Sequence, residues 1–325
     1  MRRVLVTGGC GFIGCNFLRQ VVPERPEAEW VNLDALTYAG RLENTQDFAG
    51  ARNYRFVRGG IDDEALVDDL LCEGFDAVVN FAAESHVDRS IGRPKVFVET
   101  NVLGTQVLLE AARRYRVGRF IQVSTDEVYG SLEPEDPPFT ERSPLAPNSP
   151  YAASKASADL LCRAYYETYG MPIMVTRCSN NYGPYQYPEK IIPSFILRAL
   201  QDKPVPLYGD GMNVRDWLHV EDHCRAIALV LDKGTPGEVY NVGGVSERTN
   251  LQITELILEY LGRPDGLISY VPDRPGHDRR YATDSSFIQK KLGWYPAHTF
   301  ETSIRRTIDW YTANLEWTSR VLAAV

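Results

Sequence analysis

The chain has 325 residues, 44% hydrophobic and 24% charged, an ordinary globular composition that excludes a disordered or low-complexity protein and suffices for about two domains. Lys and Arg number 35 against 43 Asp and Glu, a net charge of −8, so no general field draws the molecule to nucleic acid or anionic membrane, and an acidic ligand needs locally placed cations. The apolar run at 4–6 is too short to span a bilayer, and Arg2-Arg3 before a glycine-rich stretch makes no signal peptide. A cytoplasmic protein without membrane or nucleic-acid partners is expected.

In chain order, residues 4–7, 30–34, 54–58, 77–82, 120–124 and 173–177 are Val/Ile/Phe-rich runs, mostly unbroken rather than alternating. Such runs suit strands buried on both faces of a parallel sheet. Helix-length stretches at 13–22, 98–115 and 151–169 separate them, giving the repeating βα order of an α/β, Rossmann-type, doubly wound fold. SNNYGPYQYPEKIIP, from residue 179, crowds Pro, Gly, Tyr and Asn together and cannot be one regular element. A helix is predicted at 221–231, a strand at 238–242 and a helix at 251–261. The expected division is 1–178 with 215–245 for a dinucleotide unit, and 179–214 with 246–325 for a smaller mixed α/β substrate unit.

The first βα turn reads Thr7-Gly8-Gly9-Cys10-Gly11-Phe12-Ile13-Gly14. Glycines at 8, 11 and 14 permit a tight turn, close approach of a pyrophosphate to backbone N–H groups, and close helix packing. Asp34 ends the next strand twenty residues after Gly14, where a carboxylate accepts from both ribose hydroxyls and repels a 2′-phosphate. NAD is therefore the expected cofactor.

Ser149-Pro150 caps a helix on which Tyr151 and Lys155 share a face. An ammonium beside a phenol favours the phenolate, which predicts Tyr151 as a general base acting on a hydroxyl. Ser124-Thr125-Asp126-Glu127 follows a buried strand, so it lies at the carboxyl edge of the sheet where open α/β folds bind ligands. One of its two carboxyls is expected to act as an acid and the other as a base.

The glycine loop, the YxxxK pair and strand-end Ser124 resemble the extended short-chain dehydrogenase/reductases. DALTYAG (34–40), NFAAESHVDRSI (80–91), VSTDEVYG (123–130), SNNYGPYQYPEK (179–190), YGDGMNVRDW (208–217) and DRPGHDRRY (273–281) narrow the resemblance to their dTDP-glucose 4,6-dehydratase branch. This implies that Tyr151 takes the proton of the sugar 4-hydroxyl while NAD accepts hydride from C4. Glu127 then removes the C5 proton, Asp126 protonates the departing 6-hydroxyl, and hydride returns to C6. Thr125 and Ser124 polarise the ketone. Phe12, Ile13, Leu36, Thr37, Ile61, Phe81, Ala82 and Ala83 join Tyr151 and Lys155 around the cofactor. Ser85, His86, Asn181, Glu189, Lys190, Arg215, Asn250, Arg274, His277 and Tyr281 serve the sugar, diphosphate and nucleotide, with Pro206, Leu207 and Tyr208 walling the base. A homodimer through 98–115 and 151–169 is also implied.

One departure stands out. The family pattern after the third strand is Gly-Asp-Ile, whose Asp meets adenine, and this chain has Gly59-Gly60-Ile61. Compensation by Asp62 or Asp63 from the next turn is one reading, but their side chains are expected to point elsewhere, which predicts weaker retention of NAD. Two other readings remain open: a nucleotide-sugar 4-epimerase or decarboxylase, and a non-catalytic NAD-binding protein. The six cysteines, at 10, 15, 72, 162, 178 and 224, contain no CxxC pair, so buried free thiols are expected rather than disulfides or a zinc site. His219 and His223 stand four apart with no evident third ligand, so no metal is expected.

Overall fold

The computed structural model describes residues 1–323. Its first half runs β1 (Arg3–Thr7), α1 (Phe12–Glu24), β2 (Glu29–Asp34), β3 (Tyr54–Arg58), α2 (Glu64–Leu71), β4 (Ala77–Asn80), α3 (Val87–Gly92), α4 (Pro94–Phe97), a π-helical stretch (Val98–Gly104), α5 (Thr105–Arg114), β5 (Arg119–Thr125), α6 (Pro150–Tyr169) and β6 (Ile173–Cys178). Then come β7 (Asn180–Tyr182), α7 (Ile191–Leu200), β8 (Val205–Tyr208), β9 (Val214–His219), α8 (Val220–Lys233) and β10 (Val239–Val242). The remainder is β11 (Glu247–Thr249), α9 (Asn250–Tyr260), β12 (Ile268–Val271), α10 (Ser286–Leu292), α11 (Phe300–Ala313) and α12 (Leu315–Ala323).

Seven strands form one parallel sheet in the order β10-β6-β5-β4-β1-β2-β3. The order reverses between β1 and β4, the crevice where doubly wound sheets hold ligands. On one face Phe17, Leu18, Trp30, Ile227, Leu231 and Trp294 pack together, and on the other Val67, Leu71, Leu108, Phe120 and Cys162. Both faces are thus covered, which explains the unbroken apolar runs. A third core around Tyr182, Ile196, Trp217, Ile257, Ile304 and Tyr311 supports a three-stranded sheet (β11-β9-β7) and a β12-β8 pair.

Three expectations shift. The helix over 98–115 is interrupted, because Asn101 reaches out of its π-helical stretch. Asn101 accepts from the Glu84 N–H (2.9 Å) and donates to the Glu84 carbonyl (3.0 Å) and the Ser154 hydroxyl (2.8 Å), the extra residue per turn that marks many functional sites. The strand over 77–82 stops at Asn80, since Phe81 and Ala82 cross over Gly8. The return to the large sheet comes later than 215, because β9 pairs with β7 and β11 in the small sheet. After β6, β10 rejoins the large sheet and α8 packs on its face together with Ile288 of α10 and Trp294.

All six cysteines are free, and Cys72 is exposed rather than buried. His219 precedes α8 while His223 lies inside it, bonded through Nδ1 to Asn181 Oδ1 at 2.9 Å. His219 instead stacks on His298, with ring centroids 4.4 Å apart. From α12, Trp317 Nε1 donates to Asn44 Oδ1 (2.9 Å), and Asn44 Nδ2 donates to the Cys10 carbonyl behind the glycine loop (2.9 Å). No helix among the described residues is long and apolar enough to cross a membrane.

Candidate active site

A cleft of about 590 Å³ lies along the carboxyl ends of the large sheet's strands. Its floor is the turn between β1 and α1. Gly8 has φ +69°, and a Cβ there would lie 2.7 Å from the Ala82 nitrogen. At Gly14 a Cβ would collide with the Gly8 carbonyl oxygen. Only glycine allows this tight cradle, whose Phe12, Ile13 and Gly14 N–H groups belong to the first turn of α1 and have no partner within the helix. Asp34 borders the same cleft, its carboxylate oriented by the Cys10 and Leu36 N–H groups, both at 2.8 Å. These features suit a dinucleotide: donors for a pyrophosphate, then a fixed acceptor for ribose hydroxyls.

β5 delivers Ser124 and Thr125, and the 3₁₀ turn after it carries Asp126 and Glu127. Thr125 Oγ1 caps that turn by accepting from the Glu127 N–H (3.3 Å) and also bonds Asp126 Oδ1 (3.3 Å). Asp126 is 1% exposed, and its Oδ2 has no hydrogen-bond partner. Burial, then the neighbouring Glu127 and Asp216, push its carboxyl well above the usual range. Burial raises Glu127 as well, but Arg274, Lys190 and Arg215 draw it back down. Burial thus raises both carboxyls, with two further acids adding to the rise at Asp126 and three cations offsetting it at Glu127.

Tyr151 and Lys155 enter from the first turns of α6, capped by Ser149 (Oγ from Ala152 N–H, 3.1 Å). The expected ammonium–phenol pair is not formed. Lys155 Nζ donates to the Val123 carbonyl (2.7 Å), and burial lowers its pKa. Burial, then Glu127 and Cys178, hold the Tyr151 phenol well above its ordinary value, with the Thr125 hydroxyl pulling it down.

Of the cofactor and sugar candidates, Gly8, Gly11, Phe12, Ile13, Gly14, Asp34, Thr37, Ile61, Phe81, Ala82, Ala83, Ser85, Ser124, Asn181, Glu189 and Lys190 line the cleft with the catalytic group. Leu36 does not; it takes φ +54° beside Asp34. His86, Pro206, Tyr208, Arg215, Asn250, Arg274, His277 and Tyr281 also lie outside that lining. Most of them form a second group beyond Glu127. Arg215 sits 4.2 Å over the Tyr281 ring, whose hydroxyl bonds Asp278. Asp88 joins Arg274 (3.5 Å) to Tyr208 (3.3 Å), and His277 pairs with Asp273 (2.5 Å). His86, its pKa pushed down to about 4 by burial, then Lys190, stands 3.7 Å from Glu189. Asn250 opens α9, bonded through its N–H to Asn213 under the small sheet.

A family model described as GDP-mannose 4,6 dehydratase matches residues 5–307. A dTDP-glucose 4,6-dehydratase from Streptomyces niveus is 54% identical over 319 residues, covering 97% of this chain and 94% of that protein. The chain belongs to the dTDP-glucose 4,6-dehydratase family. Among solved structures, the dTDP-glucose 4,6-dehydratase DesIV of Streptomyces venezuelae, with NAD and dTDP bound, is similar at TM-score 0.96 and 51% identity, covering 98% of this chain and 99% of that one. A UDP-glucose 4-epimerase of Thermus thermophilus, in complex with NAD, is more distant, at TM-score 0.88 and 33% identity, covering 96% and 99%.

Several lining residues of this dehydratase-family chain received no role from the sequence, although Tyr38 and Glu84 lie within the DALTYAG and NFAAESHVDRSI stretches. Tyr38 lies under the Arg89 guanidinium (3.7 Å), Glu84 is raised by burial, and Thr100 and Cys178 complete the wall. Tyr38 lies inside the DALTYAG stretch, so its neighbours already pointed to it. Asp62 also lines the cleft, contrary to the expectation that its side chain turns away, whereas Asp63 caps α2 (Oδ1 from Leu66 N–H, 3.1 Å).

Proposed function

We propose that this protein converts dTDP-glucose to dTDP-4-keto-6-deoxyglucose, by oxidation at C4, loss of water across C5 and C6, and return of hydride to C6. The observation that carries this reading is the Asp126–Glu127 pair on the turn after β5, two acids that line one cleft with Tyr151. Elimination needs a proton acceptor for C5 and a proton donor for the 6-hydroxyl besides the base at the 4-hydroxyl; 4-epimerisation needs only the last.

NAD, when bound, supplies a cationic nicotinamide that takes hydride at C4 and gives it back at C6. Tyr151 accepts the 4-hydroxyl proton, with Thr125 and Ser124 donating toward the 4-oxygen. Glu127, raised by burial but drawn back by Arg274, Lys190 and Arg215, removes the C5 proton. Asp126, whose carboxyl burial pushes well upward, donates to the 6-hydroxyl as it leaves. Gly8, Gly11, Phe12, Ile13, Gly14 and Asp34 hold the dinucleotide, and Leu36, Thr37, Ile61, Phe81, Ala82 and Ala83 flank it with Tyr151 and Lys155. Ser85, His86, Asn181, Glu189 and Lys190 meet the sugar and diphosphate; Arg215, Arg274, His277, Tyr281, Pro206 and Tyr208 meet the nucleotide, and Asn250 supports them.

The dinucleotide unit takes the large sheet with its flanking helices, and the substrate unit the small sheets. Val98 and Leu103 on the π-helical stretch, with Leu160 and Tyr169 on α6, leave an exposed apolar face that supports a homodimer. Six free thiols suit the cytoplasm.

Incubation with dTDP-glucose alone, followed by mass spectrometry, should show loss of water. Deuterium at C4 should reappear at C6, while solvent label enters C5. A C4 label that stays in place, or an isomer of unchanged mass, would establish the epimerase instead.

A further inference from the structure

Asp62 stands at the rim of the dinucleotide cleft, two residues past Gly60. Its Oδ1 occupies the space that a Cβ on residue 60 would fill. The missing side chain at 60 and the position of this carboxylate are therefore one arrangement: the acid at 62 folds back into the gap. Its backbone is anchored on both sides. Gly59 N–H donates to the Asp34 carbonyl (3.1 Å) and Asp63 N–H to the Gly60 carbonyl (3.4 Å), while Ile61 is buried at 3% exposure against Gly104.

The cleft has a fixed polarity. A pyrophosphate belongs on the α1 N-terminus and its ribose at Asp34, so the base lies beyond Asp34, toward the carboxyl end of β3. Leu33, Ala35, Gly59, Gly60, Ile61 and Asp62 line that end. Among those six, Asp62 alone carries a charged side chain. An adenine there offers one exocyclic donor, its N6 amine, and a carboxylate is the matching acceptor.

Resting on the NAD reading above, we infer that Asp62 is the residue by which this protein recognises the adenine N6 amine, Gly60 having vacated the space its carboxylate uses. Asp62 thus sets cofactor specificity without touching the reacting atoms.

The test is calorimetry on the nucleotide-depleted full-length protein with NAD and with nicotinamide hypoxanthine dinucleotide, in which a carbonyl oxygen replaces the N6 amine. The wild type should bind NAD about tenfold more tightly, the typical effect of one charge-assisted hydrogen bond. Asp62→Ala should bring the ratio near one by weakening NAD alone. Gly60→Asp in the Asp62→Ala background should restore discrimination, since residue 60 has no positive φ and only the Asp62 side chain obstructs a Cβ there. An unchanged ratio in Asp62→Ala, or none in the wild type, would overturn the assignment while leaving the NAD reading intact. If neither dinucleotide binds the wild type, the NAD reading itself fails.

Discussion

On the sheet side of the cleft, the glycine loop, Asp34, Phe81 and the segment from Ser124 to Glu127 each follow a parallel strand within a few residues, so backbone hydrogen bonding places them. On the other side, Arg215 comes from the small sheet, while Arg274, His277 and Tyr281 come from an irregular stretch between β12 and α10. There side chains hold one another: Arg215 against Tyr281, Arg274 against Asp88, His277 against Asp273. The rigid side carries the chemistry, where small displacements cost rate. The stapled side carries charge, which tolerates looser geometry.

Substitutions can break this contrast, starting with the chemistry. Tyr151→Phe should lower turnover by about 10² to 10⁴, the usual worth of a general base, and abolish the reduced-nicotinamide absorbance of a single turnover. Glu127→Gln should cost a similar factor but let that absorbance accumulate, because oxidation precedes elimination. Rapid water loss in Glu127→Gln would reassign the C5 base.

Next comes the framework beneath it. Arg177 and Asp159 form an ion pair (2.8 Å) with side chains 7% and 1% exposed, tied through Tyr129 to Asn241. Asp159→Ala leaves a buried guanidinium unpaired and should destabilise the fold by about 3–5 kcal/mol in denaturant titration.

On the stapled side, Arg274→Ala should raise KM for dTDP-glucose roughly tenfold or more, as expected for one charged contact, with little change in melting temperature. It also removes the cation that most strongly offsets burial at Glu127. The base must be ionised to act, and a raised pKa means the anion is lost at higher pH as the solution is acidified. The acid limb of kcat/KM should therefore lie above the ordinary Glu range and move further upward in Arg274→Ala. The smallest effect belongs to Thr249→Ala, which opens the capping box with Gln252 (3.1 and 2.9 Å) and should cost about 1 kcal/mol in stability.

The same contrast explains what could be read from the residues. Central strands buried on both faces announce themselves as apolar runs that shift by only a residue or two, and 54–58 matches β3 at both ends although that edge strand is only half-buried. Residues placed by a strand end were legible for that reason. The return at 215 was not, because nothing in the residues of β9, VRDWLH, says which sheet it joins, and it pairs with β7 and β11. Lys155 was assigned to the phenol by helical spacing, and spacing is silent about the Val123 carbonyl that takes its ammonium. The orientation of Asp62 was not legible, because its Oδ1 occupies the space left by the side chain missing at Gly60.

The Trp317–Asn44 hydrogen bond joins residues 273 positions apart. Asn44 in turn holds the carbonyl of Cys10 inside the glycine loop. During synthesis, then, the loop leaves the ribosome long before the indole that braces its support. The nascent chain can assemble its parallel sheet while the nucleotide cradle still lacks this brace, and loading with cofactor belongs to a later stage than formation of the sheet. Truncation before α12 should accordingly yield a folded sheet with a loosened cradle, and a bulky fusion at that helix should be felt at the cofactor before it is felt at the sugar.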